Sequence, residues 1–175
     1  MPDDAAHFTR TDTGRATLRY EALIAPLLGD GYALAQSLSP DRASAEDALQ
    51  SAAFKAWQKL DHLREQGSAR AWFLTIVVNE CRSSWRKRRR LAFDAGGTEA
   101  SVWPRDVDER LDVRAAMRRL KRDDRDVLSL RFLMDMSVEE SAGVLGISPS
   151  AVKARTARAS ARFRELLGVN QGATE

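Results

Sequence analysis

Basic side chains are concentrated in two stretches of the chain, and the chemistry open to them is the binding of phosphate. Six of the nine residues from Arg82 to Arg90 are Arg or Lys, and the segment from Lys153 to Arg164 carries five basic residues and no acidic one. The net charge is only +3, so the position of the charge is more informative than its sum. Each stretch is a candidate surface for the phosphates of nucleic acid.

The second basic stretch follows a helix-turn-helix pattern. Ser137 and Glu140 form a capping-box signature, Gly146 suits the left-handed end of a short helix, and Ser148-Pro149 starts a longer one. The second helix of such a unit enters the major groove of DNA. A solvated basic face is the alternative interpretation. Away from the apolar face lie the residues that we expect to contact DNA: Ser150, Lys153, Ala154, Arg155 and Arg158.

The first basic stretch ends a long helix that opens at Ala69. Favourable charge near a helix C-terminus is the alternative explanation, but that effect fades within one turn and does not require six charges. Just before and within the stretch, four polar side chains share one helical face, where unstacked bases could be bound by hydrogen bonding and stacking. They are Asn79, Arg82, Ser83 and Arg86.

The sequence carries no signature of catalytic or cofactor chemistry. The sequence contains no Walker loop, no dinucleotide-binding glycine pattern, no His-Glu-x-x-His and no nucleophile with a partner His, so we expect neither an enzyme nor a cofactor. One cysteine, Cys81, and two histidines argue against a metal site, and Cys81 is expected to be a core thiol. Without a long apolar stretch or a secretory signal, a cytoplasmic protein with no membrane insertion is expected.

The elements that position these residues are predicted to be helices. After a flexible tail over 1–15, a first helix is expected across Leu18 to Leu28, a break at Gly29–Gly31, and a second helix from about Tyr32 to Leu38. One buried stripe is then formed by Ala45, Leu49, Ala52, Ala56 and Leu60. A polar and aromatic strip is expected beside it, made of Glu46, Gln50, Phe54 and Trp57.

The second half of the chain is expected to form a separate helical domain. Residues 91–107 have no periodicity and contain Gly-Gly and Pro, so they are the predicted flexible linker, and Phe93 and Trp103 within it suggest contact with a partner. Helices are predicted over about 108–120, 124–134, 138–145 and 149–167, followed by a short tail. The expected fold is all-α, with two small helical domains of which the second is the helix-turn-helix.

Particular residues resemble a known family. The segment from Ala45 to Gln50, followed by Phe54-Lys55-Ala56-Trp57 and by Ala71 to Asn79, is similar to the second conserved region of bacterial sigma factors of the extracytoplasmic-function group. Leu120 to Arg131, Val144 to Ser148 and Val152 to Arg155 resemble the fourth region. The resemblance covers about Tyr20 to Leu167, without the linker.

The resemblance implies an alternative sigma factor that binds core RNA polymerase and promoter DNA. Region 2, over 16–90, would bind the -10 element, and region 4, over 108–168, the -35 element. The loop from Asp61 to Ser68, with the four polar residues of the long helix, would capture non-template bases. The resemblance also implies an anti-sigma factor as a partner. The residues implied for polymerase binding are Asp47, Gln50, Phe54 and Trp57.

Three residues depart from the family pattern. Ala151 replaces a usual Thr, Thr156 a usual Leu and Ser141 a usual Ile, and the last two are expected to weaken the core of the second domain. The main alternative function is a ligand-responsive helix-turn-helix regulator that is not a polymerase subunit, and a further one is an adaptor that only tethers polymerase. The regulator does not account for the first basic stretch or for Asp47, Gln50 and Trp57, and binding to polymerase without promoter-specific initiation would identify the adaptor.

Overall fold

The computed structural model describes residues 10–63, 69–94 and 113–168, and within these ranges the regular elements are helices, as predicted. Short 3-10 turns follow the first and third helices, and a π-helical turn follows the sixth. The helices are α1 (Arg10–Leu23), α2 (Leu28–Leu38), α3 (Arg42–Gln58), α4 (Ala69–Asp94), α5 (Val113–Arg119), α6 (Arg122–Leu128), α7 (Val138–Leu145) and α8 (Pro149–Leu166).

The first domain is built around α2, α3 and α4. Asp41 caps α3 by accepting a 2.7 Å hydrogen bond from the backbone amide of Ser44. The predicted stripe of α3 is confirmed, with half-buried Leu49 at its edge. Its buried members are almost all alanine, so α2 and α4 can approach the α3 backbone closely: Ala45, Ala48, Ala52 and Ala56.

The predicted break at Gly29–Gly31 is wrong, because α2 begins at Leu28 and runs through it. A Cβ atom on Gly31 would lie 2.7 Å from Cε1 of Phe73 and 3.0 Å from Cδ1 of Leu49. The glycine therefore serves close packing between helices and not a turn. Pro26 lies instead in the 3-10 turn Ala25–Leu27, where its missing amide is tolerated.

Two helix ends lie beyond the bounds expected from the sequence. Helix α1 begins at Arg10, before the expected end of the tail, and α4 continues to Asp94, so Phe93 is helical and not part of a linker. Most of the predicted Asp61–Ser68 loop, the remainder of the linker with Trp103, and both chain ends fall outside the described residues.

The second domain is organised by a buried arginine. The guanidinium of Arg125 donates to the carbonyls of Met117 and Leu120, at 2.8 and 2.9 Å, and thereby satisfies acceptors left open at the end of α5. Burial lowers the pKa of Arg125 to about 10, so the side chain remains charged at neutral pH. Val152 and Ala159 of α8 are fully buried against this framework.

The two departures expected to weaken this core differ in outcome. Thr156 is half-buried, and its hydroxyl donates to the carbonyl of Val152 at 2.8 Å, so it is satisfied within its own helix. Ser141 is fully buried, and its Oγ has no hydrogen-bond partner in the described part of the chain. A buried polar atom without a partner costs free energy, so the expected weakness lies at Ser141.

The two glycines of α2 provide a test of the close packing. Gly31→Ala should lower the free energy of unfolding by roughly 1–3 kcal/mol, because the new methyl group overlaps the buried ring of Phe73. Gly29→Ala is the matched control, since nothing lies within 4 Å of its Cβ position, and should stabilise the helix by up to about 1 kcal/mol. Urea denaturation measures both. Equal effects would contradict the packing argument.

Replacing Ser141 tests the unsatisfied hydroxyl. Ser141→Ala should raise the free energy of unfolding by about 1 kcal/mol, because it removes a buried polar atom that has no partner. Ser148→Ala is the opposite case: Ser148 Oγ accepts from the amide of Ala151 at 3.2 Å, and losing this cap should cost about 1 kcal/mol. Thermal unfolding followed by circular dichroism separates the two signs; a destabilised Ser141→Ala would refute the assignment.

Candidate nucleic-acid interface

Local signals position the candidate recognition helix α8, and each signal predicted from the sequence is confirmed. Ser137 Oγ accepts from the amide of Glu140 at 3.0 Å, and Glu140 Oε2 accepts from the amide of Ser137 at 2.7 Å. These hydrogen bonds lower the pKa of Glu140. Gly146 adopts a left-handed conformation at φ 67°, and Pro149 occupies the first turn of α8. The result is a helix-turn-helix.

The outer face of α8 exposes most of the predicted DNA-contact residues. Ser150, Lys153, Ala154 and Arg158 are exposed. Arg155 is half-buried, and its guanidinium lies 3.5 Å from a carboxylate oxygen of Asp123 in α6. The face is therefore basic and accessible, with one arginine held against the neighbouring helix.

The polar face predicted on α4 is divided by the structure. Asn79, Ser83 and Arg86 are exposed along one side of the helix. Arg82 turns instead toward the second domain, where its Nε lies 2.9 Å from Oδ2 of Asp126. The side chains of Arg82 and Asp126 are only 19% and 2% exposed, so this ion pair is largely removed from water.

Asp126 was not predicted from the sequence, because no periodicity or motif distinguishes it from the other acidic residues of α6. Burial raises the pKa of its carboxyl group, and the positive charge of Arg82 opposes that shift. The pairing joins residues 44 positions apart in the chain. Such a contact depends on how the domains pack, which local sequence does not specify.

An aromatic and arginine cluster extends the basic end of α4. Trp85 is nearly buried, with the guanidinium of Arg89 centred 5.2 Å and that of Arg122 centred 4.8 Å from its ring centroid. Both distances are in the range of cation–π attraction. A tryptophan within an arginine run was the available signal for this cluster. Phe93, further along α4, is 79% exposed.

The four residues implied for polymerase binding form an accessible strip on α3, called here the α3 strip. Asp47, Gln50, Phe54 and Trp57 are all exposed, and Phe54 leaves 61% of its surface in solvent. The ring of Trp57 meets Tyr20 of α1 edge-on at 5.4 Å between centroids, a contact that the sequence did not indicate. Exposed aromatic residues beside polar ones are typical of a protein-binding surface.

The described ranges offer neither a metal site nor a membrane span. No group of three or more His, Cys, Asp or Glu side chains there is arranged to hold a metal ion, and none of the helices is long and apolar enough to span a membrane. Cys81 is buried beside Ser39, and burial raises the pKa of its thiol to about 12. This agrees with the predicted core thiol.

The fold and the two basic surfaces define a helical DNA-binding protein with a C-terminal helix-turn-helix. The model of Sigma-70 region 2 matches residues 23–91, and that of Sigma-70 region 4 matches residues 110–163. The chain is 32% identical over 143 residues to the ECF RNA polymerase sigma factor EcfG of Rhodopseudomonas palustris, with 79% of each chain covered.

Solved structures agree with these matches. The sigma factor RpoE from Bartonella quintana, solved in complex with the anti-sigma factor NepR, has a TM-score of 0.75 and 30% identity, covering 87% of this chain and 98% of that one. CnrH in complex with the cytosolic domain of CnrY has a TM-score of 0.63 and 28% identity, covering 87% of this chain and 89% of that one.

This chain belongs to the extracytoplasmic-function RNA polymerase sigma factors of the sigma-70 family. It is an alternative sigma factor that directs transcription initiation, and its family is not one of enzymes. The ligand-responsive regulator is not favoured, since both family regions are present.

Proposed function

We propose that the two domains divide promoter recognition between them. Region 2, over 16–90, binds core polymerase through α3 and the -10 element through α4, and region 4, over 108–168, binds the -35 element through α8. The chain after Asp94, where α4 ends, connects the two. The observation that carries this proposal is the exposure of three separate surfaces, one aromatic and two basic, on helices positioned by the core.

Region 4 contacts the -35 element through the exposed face of α8. Helix α8 has Lys153 and Arg158 on its accessible side, and Ser150 near its N-terminus, where a recognition helix meets base edges. Arg155 contributes either directly or by orienting the helix against Asp123. Ala154 makes an apolar contact with the DNA, and its small side chain lets the helix approach closely. Arginine reads guanine through two hydrogen bonds, whereas lysine more often contacts phosphate.

Region 2 captures unstacked bases of the non-template strand at the -10 element. Asn79 and Ser83 offer hydrogen-bonding groups, and Arg86 supplies a charge for the backbone. Arg82 completes the set when it is released from Asp126. Holding flipped bases costs a few kcal/mol, which stacking, hydrogen bonds and polymerase contacts provide. The adjoining loop to Ser68 is proposed to take part.

The polymerase itself performs the nucleotidyl transfer, and this subunit acts by binding. It therefore needs no catalytic residue and no cofactor, and it works in the cytoplasm, where polymerase and promoter DNA are found. The α3 strip is the proposed docking surface for polymerase, because Phe54 and Trp57 would lose their exposure there. Asp47 and Gln50 set the polar edge of that surface.

An anti-sigma factor is a further proposed partner. The related RpoE was solved with one, and this chain has a cleft of about 820 Å³ between its domains. The cleft is lined by exposed apolar side chains, Phe132 and Leu133 among them, and by the basic Arg118 and Arg164. An amphipathic helix with acidic residues has matching chemistry.

Run-off transcription on a fragment library from the source genome tests the DNA-binding assignment. Discrete transcripts should appear only when this protein is added to core polymerase, and Lys153→Ala and Arg158→Ala should each weaken them about fivefold or more, as expected for loss of one DNA contact. Arg162→Ala is the control, because Arg162 on the same helix pairs with Glu165 at 2.8 Å. Duplex DNA binding without any transcript would instead support the regulator.

Affinity for core polymerase, measured by fluorescence anisotropy without DNA, tests the α3 strip. Phe54→Ala and Trp57→Ala should each weaken binding about tenfold or more, since buried aromatic side chains dominate interface energies. Leu91→Ala is the control, because Leu91 is 57% exposed but lies on α4, outside the strip. Unchanged affinity in both aromatic variants would show that polymerase binds a different surface of this protein.

A further inference from the structure

A largely buried ion pair between the two domains uses a residue of the proposed -10 site. Arg82 lies among the candidate -10 residues of α4, yet its guanidinium is paired with Asp126 of α6 at 2.9 Å. Its neighbours on that face, Asn79, Ser83 and Arg86, remain exposed. One member of the DNA-binding set is therefore occupied by the protein's own second domain.

Further contacts hold the domains in this arrangement. The hydroxyl groups of Ser37 in α2 and Ser129 after α6 lie 2.7 Å apart. Arg70 of α4 donates to the carbonyl of Met134 at 2.8 Å. Arg122 of α6 stacks over Trp85 of α4 at 4.8 Å. These contacts are distributed along the interface, so Asp126 does not act in isolation.

Carboxylate and phosphate are equivalent ligands for a guanidinium. Both are oxyanions that accept charge-assisted hydrogen bonds from the same nitrogen atoms, so they compete for one arginine. Asp126 is buried and pairs with Arg82 at 2.9 Å, with Arg122 as a second positive charge acting on its carboxylate, while Arg82 must be uncovered to reach a DNA strand. Separating the domains leaves both charges free to be solvated or to find new partners.

We propose that Asp126 is an intramolecular competitor of promoter DNA, which holds Arg82 and keeps the free sigma factor in a closed, weakly DNA-binding arrangement. This latch operates within the chain and requires no anti-sigma factor. It rests on the proposed function of α4 as the -10 reader. Polymerase and DNA then bind the open arrangement. The apparent DNA affinity of the free protein therefore equals the affinity of the open arrangement multiplied by the fraction of molecules that are open.

Removing the charge of Asp126 tests the competition. Asp126→Asn should lower the Kd for a fluorescein-labelled random-sequence single-stranded DNA by about tenfold, because the open fraction rises. The radius of gyration of the Asp126→Asn protein, measured by small-angle X-ray scattering, should also be larger than that of the wild type. Asp124→Asn is the matched control, since Asp124 has the same charge on the same helix and forms no ion pair within the described ranges. No change in either quantity for Asp126→Asn would overturn the proposal.

A covalent lock tests the closed arrangement independently of the stability of any charge variant. Ser37→Cys with Ser129→Cys places two thiols where the hydroxyl groups are 2.7 Å apart, so oxidation should join the domains. Cys81 does not compete, because burial raises its pKa to about 12 and keeps it protonated. The oxidised protein should bind the single-stranded DNA at least about tenfold more weakly than the reduced protein, and reductant should restore binding.

The outcomes separate the latch from the function on which it rests. Equal DNA binding by the oxidised and reduced double variant would refute the latch, whatever the result of transcription. Ser37→Cys alone is the control and should not respond to oxidant. A wild-type protein that supports no transcription would refute the proposed function. The scattering and single-stranded DNA measurements would still report whether Asp126 holds the domains together, because they require no polymerase.

Discussion

Close approach of α2, α3 and α4 is the constraint on which the first domain depends. The inner face of α3 is made of alanine, and Gly31 of α2 leaves no room for a Cβ atom beside Phe73. Small residues on the inside bring the helix axes together, and this leaves the large side chains of α3, Phe54 and Trp57, with no place in the core. The exposure of these aromatic side chains, which are proposed to bind polymerase, thus follows from the close packing on the inner face of α3.

The same packing sets the direction of α4. Its buried residues Phe73, Val77 and Cys81 fix its rotation, and Trp85 continues that face into the basic end. The remaining faces must then carry the polar side chains, with Asn79 and Arg86 toward solvent and Arg82 toward the second domain. A rotation of one residue, about 100°, would exchange these roles.

Most ion pairs in the described ranges join two different elements, and fewer join residues of the same helix. Lys55 of α3 pairs with Glu80 of α4 at 2.6 Å, and Arg88 of α4 pairs with Asp41 at the start of α3 at 3.1 Å. Pairs of this kind, which remain partly open to solvent, contribute little stability on their own. The Arg82–Asp126 pair differs because it is largely buried, so removing one partner would leave the other charge buried and unpaired at a high cost in free energy.

Local sequence was sufficient for the elements whose ends depend on neighbouring residues. The Ser137–Glu140 capping box, the left-handed Gly146 and the Ser148-Pro149 start act over a few positions, so the helix-turn-helix, the exposure of Lys153 and the all-α class followed from the residues alone. Gly31 and Arg82 could not be assigned in this way. The space beside Gly31 is set by Phe73, and the partner of Arg82 is Asp126 in the other domain; both contacts join residues distant in the chain, and only tertiary packing decides which distant residues meet.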